Sequence, residues 1–201
     1  MKKNIGIIVL TVGLIISLFY NFQLKEYKEV QQHNYNLKLN HGLQIGIKES
    51  INNLDVVIKT LKDKSPKEQI IRSLGDLIVS LKVGEEAFTF LDSDFQEEGQ
   101  ASSYLIYNTF RDFYAYAKVD LMGDIASNQF SLDLDSRNKL VNDIGILKKD
   151  LEYIDSQFNE DVLKDQSPKW IEDKWKELVT ERINQHPDFK LYERMKMEYN
   201  L

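Results

Sequence analysis

Residues 133–158, DLDSRNKLVNDIGILKKDLEYIDSQF, carry the clearest periodicity in the chain: Leu140, Ile144, Leu147, Leu151, Ile154 and Phe158 recur at steps of three and four. Side chains so spaced lie over one another on a helix, so these six form one apolar stripe. The other side carries Asn142, Lys148, Lys149, Glu152 and Asp155, as a solvated face does. The run Asp133 to Ser136 supplies oxygens that accept from the free N–H groups of a first helical turn.

Working outward, the same period recurs on both sides. Upstream, Leu43, Ile47, Ile51, Leu54, Ile58 and Leu61 predict a helix that ends at Lys62-Asp63-Lys64. Ser65-Pro66-Lys67-Glu68 then places a hydroxyl at the N-cap, a proline at N1, where its missing N–H costs nothing, and a glutamate at N3. Ile70, Leu74, Leu77, Leu81 and Phe88 extend that helix to about Leu91, with Gly75 and Gly84 read as close-packing positions or hinges. A polar break at residues 92–99 separates it from a third helix, from about Ser102 to Ile125, whose inner face is Ile106, Phe110, Phe113, Ala117 and Leu121.

Downstream, Ser167-Pro168-Lys169 repeats the helix entry, and Ile171, Trp175, Leu178 and Ile183 continue it until His186-Pro187, where the residue before proline leaves the helical region. A terminal helix within residues 188–201 holds Phe189, Leu191, Tyr192 and Met195. No segment alternates with period two over a strand length. The expected fold is all-α, an elongated antiparallel bundle of four main helices and a shorter terminal one over residues 42–201.

The beginning of the chain has a different character. Residues 4–24, NIGIIVLTVGLIISLFYNFQL, are 21 consecutive uncharged positions, and a helix of about 20 apolar residues spans a hydrocarbon core of roughly 30 Å. No pair of small residues follows the apolar core to serve as a cleavage site, so residues 5–24 are expected to be an uncleaved transmembrane signal anchor. Residues 1–4 then form a cytoplasmic tail, and residues 25–41 form a stalk or continue the helix. Lys2 and Lys3 on the short tail favour the amino terminus inside, although Lys25, Lys28 and Lys38 weaken the asymmetry. The expected location is the cell membrane, single-pass, with the bulk of the chain extracytoplasmic.

The 26 basic residues less Lys2 and Lys3 leave 24 against 32 acidic ones in residues 25–201. A part so charged does not suit an anionic membrane surface or nucleic acid, and no nucleic-acid partner is expected. The absence of cysteine excludes disulfides, thiolate metal sites and cysteine nucleophiles. Neither a phosphate-binding glycine loop nor G-x-S-x-G occurs, and Gly42-Leu43-Gln44-Ile45-Gly46 has the wrong spacing for a dinucleotide site. His33, His41 and His186 stand apart, without H-x-x-x-H or E-x-x-H spacing. The acidic residues Asp92, Asp94, Glu97 and Glu98 lack calcium-loop spacing. No cofactor, metal or catalytic residue is expected.

The densest unusual feature is the block from Tyr104 to Tyr116, six aromatics in 13 residues, more than one inward stripe accommodates. The helix is therefore either central, burying two sides, or presents an interface, since tyrosine suits surfaces that are half apolar and half wet. Tyr104, Tyr107 and Tyr114 share one flank, and Arg111 and Asp112 beside them would orient a partner. Tyr104, Tyr107, Arg111 and Tyr114 are the candidate interface, while Tyr116 lies well away from Tyr107. The expected function is non-enzymatic: a membrane-anchored accessory or scaffold acting through protein contacts or self-association outside the membrane. The alternative is an extracytoplasmic ligand-sensing domain, with a cavity beside Tyr107 to Tyr116 and a membrane partner. An extracytoplasmic hydrolase is the third reading.

Overall fold

The first 62 residues set the frame. In the computed structural model, which describes residues 2–89, 104–127, 131–158, 162 and 166–199 apart from the side chains of 2–5, 7–9, 104 and 168, α1 (Lys2–His41) runs on through a π-helical segment, Gly42–Glu49, into α2 (Ser50–Lys62). Residues 25–41 therefore continue the helix, and α1 alone is about 60 Å long at 1.5 Å per residue. Its first side chains to join the core are Tyr35 and Leu39; the large apolar side chains from Leu10 to Phe22 are exposed. Among the described residues, no helix is long and apolar enough to cross a membrane.

The π segment alters which residues face inward. Its i→i+5 bonding widens each turn, so the buried series runs Tyr35, Leu39, Leu43, Ile47 at steps of four before α2 settles to Ser50, Leu54, Val57 and Leu61. Ile51 and Ile58, expected in the stripe, lie half-buried at its margin. The same segment carries Gly42 and Gly46 against α3 (Lys67–Thr89). A Cβ on Gly46 would lie 2.9 Å from the Cα of Gly84 and 2.9 Å from the Phe110 ring, and one on Gly42 would lie 2.6 Å from the Phe88 ring. Gly84 is thus a close-packing position, whereas a Cβ on Gly75 would meet nothing within 4 Å, so packing does not require a glycine there.

The α2–α3 turn closes with Lys64 in the left-handed region, φ 56°. Ser65 N–H donates to the Thr60 carbonyl at 3.0 Å and Lys64 N–H to the Leu61 carbonyl at 3.2 Å, the paired bonds that satisfy the last carbonyls of a helix. The two helices then run antiparallel, joined by buried hydroxyl contacts between Thr60 and Ser73 (3.3 Å) and between Ser50 and Ser80 (2.9 Å). Arg137, near the start of α6 (Leu134–Gln157), donates to the carbonyls of Leu61 and Ser65 and locks that turn.

α4 (Tyr104–Ala115) passes through a second π segment, Tyr116–Leu121, into the short α5 (Met122–Ala126). It is central, packing against α3, α7 (Pro168–Gln185) and α8 (Lys190–Tyr199). The five residues expected on its inner face are all buried, as are Asn108, Thr109 and Asp112 to one side. Phe88, Phe110, Phe113, Phe158 and Trp175 form the aromatic centre, with Phe88 and Phe110 at 4.9 Å and Phe158 edge-on to Trp175 at 5.5 Å between centroids. The Trp175 indole N–H donates to Thr109 Oγ1 at 3.2 Å, which satisfies the polar edge of a fully buried ring.

The stripe of residues 140–158 is buried throughout, and Asp133 caps α6 by accepting from the Ser136 N–H at 2.8 Å. Ser167 likewise accepts from the Trp170 N–H, with Pro168 at the first helical position, and α7 ends at His186 before Pro187. Every described element is helical. The break at residues 92–99 and its acidic group, the start of the third helix at Ser102, and most of the loop at residues 159–166 lie outside the described residues.

Candidate functional site

The aromatic block divides into two sides. Tyr107 and Tyr114 share the flank given by their sequence spacing, both half-buried against the core margin. Lys82 and Lys118 stand over the Tyr114 ring, at 5.5 and 5.2 Å from its centroid, and Lys118 Nζ donates to the Tyr114 hydroxyl at 2.7 Å. Arg111 lies between the two tyrosines in sequence and pairs with Glu198 of α8. Asp112 accepts from the Tyr199 hydroxyl. The two residues expected to orient a partner thus hold this chain's own last helix. The Tyr104 side chain is outside the described residues.

Burial pushes the Asp112 carboxyl above its ordinary range, and the Tyr199 hydrogen bond only partly offsets this. Asp150 is a second buried acid. It sits three residues after Leu147 and four before Ile154, within the apolar stripe of α6, and is 1% exposed. It accepts from the Tyr192 hydroxyl of α8 at 2.6 Å, with Arg182 of α7 at 3.8 Å and His186, just past the end of α7, at 3.9 Å. Burial raises its pKa, against the pull of Tyr192, His186 and Arg182. This acid bolts three helices together. An acid inside an apolar stripe is the sequence signal for such a group, because an unpaired charge could not be kept there.

On the side of α4 away from Tyr107, a cleft of about 670 Å³ opens between the second π segment, the start of α6 and the α7–α8 turn. Tyr116 forms part of its wall, with Asp120 and Asp124 following, Lys139 and Asp143 across from α6, Asp188 from the turn and Lys190 from the start of α8. Asp120 is held by Lys190 Nζ at 2.7 Å and Arg194 Nη1 at 3.2 Å. Burial opposes its ionisation, but those two cations outweigh it and keep the carboxyl low. Asp143, half-buried, is raised by burial against the nearby Lys139.

These residues come from three distant parts of the sequence, and each separately resembles an exposed polar position. The aromatic density does point to Tyr116, but its 180° separation from Tyr107 places it apart from the expected patch. Among the described residues, no group of three or more histidines and acids is placed to hold a metal ion. Comparison with protein-family models, curated proteins and solved structures finds no match for this chain.

Proposed function

We propose that the protein is a single-pass, membrane-anchored helical bundle that acts as an accessory or scaffold through protein contacts outside the membrane. One observation carries the reading. Residues 4–24 are uncharged, and from Leu10 to Phe22 the large apolar side chains of α1 are exposed on successive positions, hence on every side of the helix, with fractional exposures from 49% at Val12 to 75% at Leu10. An all-round apolar helix with nothing packed on it is unfavourable in water and favourable in hydrocarbon. Lys2 and Lys3 support an amino terminus in the cytoplasm, with residues 25–201 outside.

The flank of α4 bearing Tyr104, Tyr107, Arg111 and Tyr114 is the proposed surface for a protein partner or a second copy. Its support is the pair of half-buried tyrosines, one of them bordered by Lys82 and Lys118, which is the half-apolar, half-wet chemistry of an interface. A ligand-sensing outer domain is the second reading, favoured by the polar cleft on the opposite side of the same helix.

The test of the anchor is fractionation of cells making the full chain. The protein should sediment with membranes and stay there through alkaline carbonate, because a span is retained by hydrocarbon burial and not by charge. Protease added to intact cells should digest the region after residue 25. Release by carbonate would overturn the anchor, and protection until lysis would reverse the orientation.

A further inference from the structure

The cleft beside Tyr116 has a volume of about 670 Å³, in the range of small-ligand sites. Four carboxylates line it, Asp120, Asp124, Asp143 and Asp188, against Lys139 and Lys190. Lys190 is committed to Asp120, which Arg194 also holds. Asp124, Asp143 and Asp188 enter no direct ion pair among the described residues; Lys139 acts on Asp143 only through space, so the cleft carries more acidic than basic charge.

Tyr116 supplies an independent observation. It is 3% exposed, and its ring is fixed edge-on to Phe189 at 5.4 Å. Its hydroxyl lies within the field of Asp143, Asp120 and Asp124, all cleft residues, and makes no hydrogen bond among the described residues. A phenol at the wall of a cleft without a protein partner keeps its donor and acceptor available to whatever occupies the cleft. It is also the first residue of a π-helical segment, a distortion frequent at functional sites.

We propose that this cleft binds a small organic cation bearing a protonated amine, its ammonium seated among Asp124, Asp143 and the Tyr116 hydroxyl oxygen. An ammonium provides three donors, which matches acceptors that no cation of the protein contacts directly. An anion would meet the unpaired carboxylates, and an uncharged ligand would leave them uncompensated. The inference gives a ligand class to the ligand-sensing reading and does not depend on the anchor.

Calorimetric titration of the purified full chain in a non-ionic detergent tests it, with putrescine as the probe and butanediol and succinate as uncharged and anionic analogues of the same chain length. Saturable binding of putrescine alone is expected. Tyr116→Phe and Asp124→Asn should each weaken it about tenfold, the effect of removing one hydrogen bond to a charged group, with unchanged helical circular dichroism. Asp124 is exposed, so its substitution tests the site without disturbing the core. Absence of saturable putrescine binding, equal binding of either analogue, or unchanged affinity in both variants would overturn the proposal. Because the readout is binding in detergent, its failure would leave the membrane assignment intact, and the converse also holds.

Discussion

Gly75 and Gly84 lie on one helix and are equivalent to any scale of helix propensity, yet the space around them gives opposite expectations. A Cβ on Gly84 would lie 2.7 Å from the Cα of Gly46 and 2.9 Å from the Phe110 ring, and a backbone atom at that distance cannot rotate away. Gly84→Ala should therefore force α3 from the first π segment and lower stability by about 1–3 kcal/mol. Gly75→Ala meets nothing within 4 Å and should raise stability by up to about 1 kcal/mol through reduced freedom of the unfolded chain. Denaturant midpoints of the two variants check this, and equal stability of Gly84→Ala and the parent would refute the close crossing. The sequence shows both glycines but not their difference, since the neighbours of Gly84 come from α4 and from the far side of the α2–α3 hairpin. A partial signal is present in Gly42-x-x-x-Gly46, which places two small residues on one helix face.

At the scale of elements, the stripes of α3, α6 and α7 are legible because each is a regular helix with a marked start. Asp133 and Ser167 cap as their residue types predict, and the residues of the 140–158 stripe are buried. The two π segments are not legible, because a change from i→i+4 to i→i+5 bonding is decided by the fit to neighbouring helices and leaves no residue pattern of its own. The first is followed by Ile51 and Ile58 at the core margin; the second begins at Tyr116 and brings Asp120 and Leu121 to the cleft. The candidate flank precedes that second segment, so the spacing of Tyr107 and Tyr114 survives. Their environments differ in a testable way. Tyr107 packs against the core, and Tyr107→Ala should lower stability, by roughly 3 kcal/mol at most for a side chain only half-buried. Tyr114 packs on the same margin and also meets Lys82 and Lys118, and Tyr114→Ala should lower stability no more than Tyr107→Ala does while weakening self-association or partner capture. Analytical ultracentrifugation beside a melting curve separates the effects. Strong destabilisation by Tyr114→Ala with unchanged association would remove the flank as an interface.

For the whole molecule, the buried acids set how stability varies with pH. Burial raises Asp112 and Asp150 above the ordinary aspartate value of 3.8, and it raises the half-buried Asp143 and Asp155 in the same direction. A raised carboxyl binds protons in the folded state that the unfolded chain has already lost. Stability from these groups is fully present below 3.8 and is lost as pH rises through their folded values. Asp120 works in the opposite sense: its depressed pKa gives stability above 3.8 that is lost only as pH falls below that value. Above pH 3.8 the raised group dominates, so the melting temperature should increase as the pH falls towards that value. Approach to the isoelectric point of 5.2 also eases general charge repulsion and would act in the same direction. Asp150→Asn distinguishes the causes. It removes one of the two buried carboxyls whose pKa is raised while retaining an oxygen to accept from Tyr192, and should flatten the rise in melting temperature. If general repulsion were responsible, one fewer charge among 32 acids would leave the slope nearly unchanged, and Asp150 would then not be the proton-binding bolt between α6, α7 and α8 that its burial and partners make it.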